Sequence, residues 1–340
     1  MSRIVVLGTG AVTPAGWGIS AMMETIDAQR AVEQTVLERP TDQGASITTP
    51  VAKVPKLTDR SLLPKSPRLR RASALGKYAA AAVFEAMGAE RHQAARDGDL
   101  RVAVICTLMN GCVNYSNRFF GEVLTDPSVA SPILFPETVY NAPSSHLSAV
   151  MGSSAPNDTI VGDGAEWFAG LELATEWLDR GDCDLCVVVA TEEMDWLSAE
   201  AMGYYSSSLL PSEGAAAVVL GREGDGPRLM SIPDPVSYAE VESPVDAMAR
   251  LWRNLGADDN GRTLWADGRN GVARTDQAED LPWHGPRIST REFLGEAMGA
   301  SAAIQTVAAL EWLRTGRAER AVVTAVGGNE AVGGAVFDAP

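Results

Sequence analysis

The sequence is poor in histidine, cysteine and positive charge. Its 340 residues include 3 His and 4 Cys, aromatic residues make up 6%, and Lys and Arg number 28 against 44 Asp and Glu. The resulting net charge of −16 repels phosphate backbones, so we expect no nucleic-acid partner. No apolar run approaches the length of a membrane span, and the first strand is too short for a signal peptide. We therefore expect a cytoplasmic protein with no membrane partner.

The few cysteines also limit metal binding. Cys183 and Cys186 form a CxxC, whereas Cys106 and Cys112 lie far upstream, and a zinc site would need both pairs to converge. Cys186 begins an apolar strand and Cys106 ends another, which is typical of buried structural cysteines. We predict no metal site and no cofactor.

Two common site motifs are also missing. Glycines follow the first strand at positions 8, 10 and 16, but their spacing is not the GxGxxG of a dinucleotide site. We predict a tight loop there instead. No GxSxG occurs anywhere, so an α/β-hydrolase mechanism has no support.

Apolar runs with strand character alternate with helical patterns, which predicts an α/β fold around a largely buried sheet. With 46% hydrophobic residues, the chain can bury a large core. Both halves contain a strand, a glycine loop and an alanine-rich helix, an order that suggests an old duplication. We divide the chain at residues 1–157 and 158–340, packed as one compact unit.

One stretch organises the chain, an apolar strand from Thr159 that turns sharply at Gly164 into an amphipathic helix. The apolar spacing predicts this helix over residues 165–178, and Gly181 ends it. The turn brings its residues to the helix N-terminus, where unpaired N–H groups favour an anion. Nucleophilic enzymes place Ser or Cys at such a turn, whereas Gly164 has no side chain to react.

The main group of basic residues lies at the start of a second helix, predicted over residues 69–87. Arg68, Arg70 and Arg71 stand together there on an acidic chain. Such a run is typical of a solvated helix start, and it also suits a docking patch. Just upstream, the polar, proline-rich residues 34–67 indicate a surface loop.

Six segments in order resemble motifs of the β-ketoacyl-acyl-carrier-protein synthases, a family of the thiolase superfamily. They lie at residues 5–16, 141–148, 159–184, 213–220, 294–302 and 327–337. The second reads NAPSSHLS, the fourth reads EGAAAVVL, and the third contains the turn at Gly164. The resemblance implies a layered αβαβα thiolase-like fold with two pseudo-duplicated mixed sheets.

The resemblance also identifies three replaced catalytic positions. In the family a Cys at the turn carries the acyl group, and two His assist decarboxylation and stabilise the enolate and the oxyanion. These positions fall at Gly164, Asp267 and Glu296 here. The chain is therefore similar to chain-length factors, silent subunits that pair with an active ketosynthase in fatty-acid or polyketide-type biosynthesis.

Such a role implies two partners. The first is an active ketosynthase in a heterodimer, with a homodimer as the alternative, and the second is an acyl carrier protein that would dock on the three arginines. Pairing would use the apolar segments at 102–105, 115–120 and 132–140. Phe119 and Phe120 would then line the far end of the partner's acyl pocket.

The alternative is an enzyme of the same fold with new carboxylate chemistry. Asp267 and Glu296, with Asp163 and Glu166, would surround one pocket and act as acid and base on an acyl or polyketide substrate. Alternatively, Asp163 and Glu166 simply stabilise the start of the helix, where acidic side chains are favourable. The sequence leaves these alternatives open.

Overall fold

The computed structural model describes residues 4–39, 46–239, 242–328 and 331–340. Its strands are β1 Ile4–Thr13, β2 Gly16–Trp17, β3 Thr35–Arg39, β4 Ile47–Val51, β5 Val102–Leu108, β6 Asn157–Val161, β7 Leu185–Glu192, β8 Gly214–Gly221, β9 Arg228–Ser231, β10 Val236–Ser237, β11 Thr263–Ala266, β12 Arg287–Ile288, β13 Arg320–Val326 and β14 Ala331–Asp338. Its α-helices are α1 Ile19–Asp27, α2 Ala74–Asp97, α3 Val113–Thr125, α4 Ala142–Met151, α5 Glu166–Arg180, α6 Trp196–Tyr205, α7 Pro244–Leu255, α8 Ala273–Asp276, α9 Arg291–Leu294 and α10 Ser301–Arg314.

The strands form one mixed sheet with two halves. Its path runs β12-β11-β13-β14-β9-β1-β8-β7-β5-β6, and β9 joins β1 through the pairs Ile4 with Leu229 and Val5 with Arg228. The first half, β1-β8-β7-β5-β6, lies between residues 4 and 221, and the second begins at residue 228. β5 and β6, which lie on either side of residue 156, pair with each other, and the sheet passes from one half to the other near residue 225. The division at residues 157 and 158 stays a prediction.

Helices and strands alternate in layers. α5 contacts β5 and β7 of the first half and β14 of the second, and α10 likewise contacts β8 and β13. α2 and α4 cover the outer face of the first half, whereas α7 packs against β14 on the second. Two helices thus lie between the half-sheets, which confirms the predicted layered thiolase-like fold and buries the start of α5 at the centre.

The sequence predicted a loop where the first strand in fact continues to Thr13. The reason is the close approach of α2. A Cβ on Gly8 would lie 1.9 Å from the Ala86 carbonyl oxygen, and one on Gly10 would lie 1.9 Å from that of Ala82. The glycines therefore let a helix cross the strand at backbone contact, a role that a single sequence does not distinguish from a turn.

Two other predicted elements differ in their bounds. α2 begins at Ala74, because Ser73 caps it by accepting a hydrogen bond from the Gly76 N–H at 3.1 Å, and residues 67–70 form a separate 3₁₀ turn. The predicted loop at 34–67 contains the β3–β4 hairpin, with residues 40–45 outside the described part.

The predicted helix after the turn is confirmed as α5, which ends at Gly181 in a left-handed conformation. All four cysteines are buried and none forms a disulfide. Across the described ranges, no helix combines the length and the apolar character that crossing a membrane requires.

Candidate functional site

A cavity of about 280 Å³ lies at the N-terminus of α5, between the two half-sheets. Its apolar lining comprises Met109, Ala201, Met202, Leu209, Met298 and Val326. Its polar lining comprises Asn110, Asp163, Ser198, Tyr205, Asn270, Thr275, Arg291 and Glu296. Gly164, Gly327 and Gly328 complete the wall, so the turn that the sequence singled out faces the cavity.

Nothing in the backbone requires glycine at position 164. Its φ lies outside the left-handed region. A Cβ built there would lie 3.6 Å from Ala325 Cβ, 3.7 Å from Ala302 Cβ and 3.7 Å from Arg291 Nη2, which are ordinary van der Waals contacts. The turn therefore has room for a side chain, and Gly164 leaves the cavity without one.

Asp163 and Glu166 stabilise the start of α5. Asp163 Oδ1 accepts a hydrogen bond from the Ala165 N–H at 3.2 Å. Glu166 folds back over the turn and packs against Gly162. A Cβ on Gly162 would lie only 2.3 Å from the carboxyl carbon of Glu166. Burial, and then the negative charge of Asp163, raise the pKa of Glu166 to about 7. Asp163 lines the cavity and Glu166 lies outside its lining, so only one of this predicted pocket pair faces the space.

The interior of the cavity is fixed by a buried ion pair. Arg291 Nη1 lies 2.8 Å from Glu296 Oε2 and donates a hydrogen bond to the Gly268 carbonyl at 2.7 Å. Glu296 also accepts hydrogen bonds from Ser301 Oγ at 2.6 Å and from Asn270 Nδ2 at 2.9 Å. These partners hold the carboxylate in one orientation, which suits a structural role.

Asp267 is fully buried and lies outside the cavity lining. Its carboxylate is ion-paired with Arg287, lies 3.3 Å from Arg269 Nε and accepts a hydrogen bond from Ser289 Oγ at 2.7 Å. Arg287 in turn lies over the Trp265 ring, with its guanidinium carbon 3.8 Å from the ring centroid. Asp267 thus faces two guanidinium groups and not the space that Glu296 lines.

The sequence did not identify two further buried carboxylates that position the cavity walls. Glu192 accepts hydrogen bonds from the backbone N–H groups of Met109 and Asn110, and burial raises its pKa to about 8. Glu279 accepts one from the Gly268 N–H at 2.8 Å, and burial with the charge of Asp267 raises its pKa to about 8. Glu192 lies 82 or 83 residues from its partners and Glu279 lies 11 from Gly268, so helix and strand periodicity carry no signal for either contact.

The other predicted site residues lie elsewhere. Phe119 and Phe120 are on α3 and do not line the cavity; Phe119 packs against Phe135 at 5.6 Å between ring centroids, and Phe120 is exposed. Arg68, Arg70 and Arg71 line a separate surface cavity beside α4. The structure therefore brings Asp163, Gly164 and Glu296 together and leaves the remaining predicted residues apart from them.

The chemical capacity of the cavity follows from its lining. Of the described residues that line it, none is Cys, His or Lys. A thiolate is needed to carry an acyl group as a thioester, and a neutral donor is needed to stabilise an enolate. The cavity offers a fixed ion pair, one further carboxylate and the hydroxyl groups of Ser198, Tyr205 and Thr275.

We expect side chains at position 164 to be tolerated. Gly164→Ala and Gly164→Cys should fold with a free energy of unfolding within about 1 kcal/mol of the wild type, because the Cβ meets only ordinary contacts. Gly164→Cys should also react with iodoacetamide, whereas the wild type, with four buried cysteines, should not. Denaturant unfolding and intact-mass analysis measure both.

Gly170→Ala, within α5, is the matched control. Its Cβ would lie 2.9 Å from Thr107 Cγ2, so it should destabilise the fold by about 1–3 kcal/mol. The packing described for the turn would be contradicted if Gly164→Ala failed to fold, or if Gly164→Ala and Gly170→Ala lowered the free energy of unfolding equally.

The raised pKa of Glu166 predicts pH-dependent stability. Between the ordinary carboxyl pKa of 4.5 and about 7, the folded state holds a proton that the unfolded state has released, so stability falls as pH rises through this window. Glu166→Gln removes this cost and should raise the free energy of unfolding by roughly 2 kcal/mol at pH 8, with little change near pH 4.

Glu176→Gln, on the exposed face of the same helix, is the control and should leave the pH profile unchanged. Thermal unfolding across this pH range measures both variants. An equal shift of the Glu166→Gln midpoint at low and high pH would rule out the assigned proton.

Comparison with protein families and solved structures identifies the family and the fold of the chain. The family model for the β-ketoacyl synthase N-terminal domain matches residues 1–225. No curated protein matches the chain. Among solved structures, the ishigamide ketosynthase/chain length factor is similar at 19% identity, with 99% of each chain covered and a TM-score of 0.79.

Two further structures are similar over the whole chain. One is the ketosynthase ApeO in complex with its chain length factor ApeC from Xenorhabdus doucetiae. Its identity to this chain is 14% and its TM-score is 0.79, and the match covers 100% of this chain and 98% of the matched chain. The other is AntDE:AntF, a type II PKS acyl-carrier protein in complex with its ketosynthase bound to the hexaketide. Its identity to this chain is 18% and its TM-score is 0.76, and the match covers 100% of this chain and 99% of the matched chain.

At these identities the solved structures establish the fold, and the family model establishes membership. Because the family model spans well over half of the chain, the protein belongs to the β-ketoacyl synthase family.

Proposed function

We propose that the chain is a catalytically silent, chain-length-factor-like subunit that pairs with an active ketosynthase in fatty-acid or polyketide-type biosynthesis. The observation that carries the proposal is the turn at Gly164, which has room for a side chain and none to react. The resemblance puts the family's nucleophilic Cys at this position. Without a thiol no acyl-enzyme forms, so condensation has to take place on a partner.

The ion pair beside the turn supports the same function. Arg291 and Glu296 are buried against each other, and the resemblance puts a family His at position 296. A carboxylate paired with a guanidinium has no proton to donate to an enolate. Asp267, at the other family His position, is paired with arginines in the same way.

A surface for the partner is supported by an exposed apolar face on one side of the chain. It consists of Phe120, Leu124, Val129, Ile133, Phe135, Val139, Tyr140 and Val161, whose exposures range from 40% to 72%. Val161 ends β6, which stands at the edge of the sheet and, in the described ranges, pairs only with β5. An open strand edge beside exposed apolar side chains favours association with another chain.

The partner contacts follow from this geometry. Phe119 and Phe120 of α3 belong to or adjoin the exposed apolar face, so in a heterodimer they would border the partner's acyl pocket. An acyl carrier protein would dock on Arg68, Arg70 and Arg71, which are exposed. The complexes of solved relatives, a ketosynthase with its chain length factor and a carrier protein with its ketosynthase, support both proposals.

The alternative, an enzyme that uses Asp267 and Glu296 as acid and base, has less support. Such a pair needs both carboxyl groups beside one substrate. Only Glu296 lines the cavity, and guanidinium groups hold both carboxylates. Asp163 is the other acidic group at the cavity, and it caps the turn of α5.

We expect the protein, purified from its native host, to elute as a one-to-one complex with a ketosynthase-sized second chain. Leu124→Arg should break this complex, because the substitution puts a charge on the exposed apolar face, where Leu124 is 72% exposed. Size-exclusion mass and intact-mass spectrometry measure the assembly.

Met230→Arg is the matched control, since Met230 is 45% exposed on β9, in the second half-sheet. It should leave the complex intact. A homodimer, a monodisperse monomer beside any coexpressed ketosynthase, or equal loss in both variants would count against the proposed pairing.

A further inference from the structure

A second cavity, of about 820 Å³, lies on the surface between the start of α2, its end and α4. Five cationic side chains line it: Lys65, Arg68, Arg70, Arg71 and Arg96. We call it the basic cavity. The chain has a net charge of −16, so these five cations form a local region of positive potential on an acidic protein.

Separate elements bring these cations together. Residues 67–70 form a 3₁₀ turn that begins with Ser66 Oγ accepting a hydrogen bond from the Arg68 N–H at 3.3 Å. Arg96 lies in the last turn of α2, more than twenty residues further along the chain. α4 supplies the wall between them through Ala149 and Val150. The sequence indicated only the three neighbouring arginines.

The charges of the basic cavity are not compensated within the described residues. Other arginines of the chain are paired, for example Arg39 with Glu200 at 2.8 Å and Arg317 with Asp27 at 2.6 Å. In the described ranges none of the five cations of the basic cavity has a carboxylate within ion-pair distance. The one acid in its lining, Glu137, lies 2.9 Å from His146 Nε2.

We propose that the basic cavity binds a small organic polyanion that carries two or more phosphate groups. Guanidinium groups bind phosphate oxygens in pairs of parallel hydrogen bonds, and five neighbouring cations call for several negative charges on one ligand. The volume of the recess, about 820 Å³, lies in the range of small-molecule sites. Pro67, Ala149 and Val150 offer apolar surface to an uncharged part of that ligand.

This inference goes beyond the proposed function. A carrier protein would dock on Arg68, Arg70 and Arg71, whereas the polyanion site also uses Lys65 and Arg96 of the same cavity. Binding needs neither a ketosynthase partner nor chemistry at Gly164. The two proposals can therefore fail independently.

Isothermal titration of the purified full chain with inorganic tripolyphosphate, and separately with ATP without magnesium, tests the inference. We expect saturable binding at one site, weaker at higher ionic strength because screening acts on all five cations. Arg68→Gln and Arg96→Gln should each weaken the affinity roughly tenfold. Arg253→Gln, at an exposed arginine of α7 outside the cavity, should change nothing.

Because these arginines are exposed, we expect each variant to fold like the wild type, and thermal unfolding of each variant checks this. If Arg253→Gln weakened the affinity as much as Arg68→Gln and Arg96→Gln do, the binding would depend on net charge alone, and the proposed site would be wrong. Absence of saturable binding to both probes would also overturn it. So would an acidic glutamate peptide that binds more tightly than tripolyphosphate, since the recess would then serve a protein surface.

Discussion

The buried pair of Arg291 and Glu296 is the interaction on which the rest of the cavity depends. A guanidinium group inside a protein needs a charged partner and filled hydrogen bonds, because burying it alone costs several kcal/mol. Arg291 meets this need with the Glu296 carboxylate and the Gly268 carbonyl. The guanidinium of Arg291 also lies beside the turn, 3.7 Å from where a Cβ on Gly164 would stand. The pair thus holds the loop before α10 against the segment after β11, next to the turn that precedes α5.

Charge compensation also organises the surroundings of this wall. Asp267 is balanced by Arg269 and Arg287, and Arg287 is held against Trp265. Glu279 fixes the Gly268 peptide from the other side. In an active member of such a family, polar groups around the turn at Gly164 would have to be free to exchange protons. Here Asp267, Glu279 and Glu296 are held by partners, which is the physical basis for proposing a scaffold and binding role instead of condensation.

Local features were predictable from the sequence, and long-range ones were not. The strand, turn and helix around Gly164, the end of α5 at Gly181 and the opening of α4 by Pro143 are set by neighbouring residues. The order of six motifs indicated the fold. In contrast, the extension of β1 to Thr13 depends on the approach of α2, and the carboxylate of Asp267 meets Arg287 twenty positions later. The basic cavity needed Arg96 from the far end of α2, which no local pattern links to Arg68.

If the chain is a silent subunit, it takes no acyl group while its partner does. Intact-mass spectrometry of both chains of the purified complex, after incubation with acyl-loaded carrier protein, tests this most directly. We expect an acyl adduct on the partner chain only, because the turn at Gly164 offers no thiol and the four cysteines are buried. An acyl adduct on this chain would contradict it.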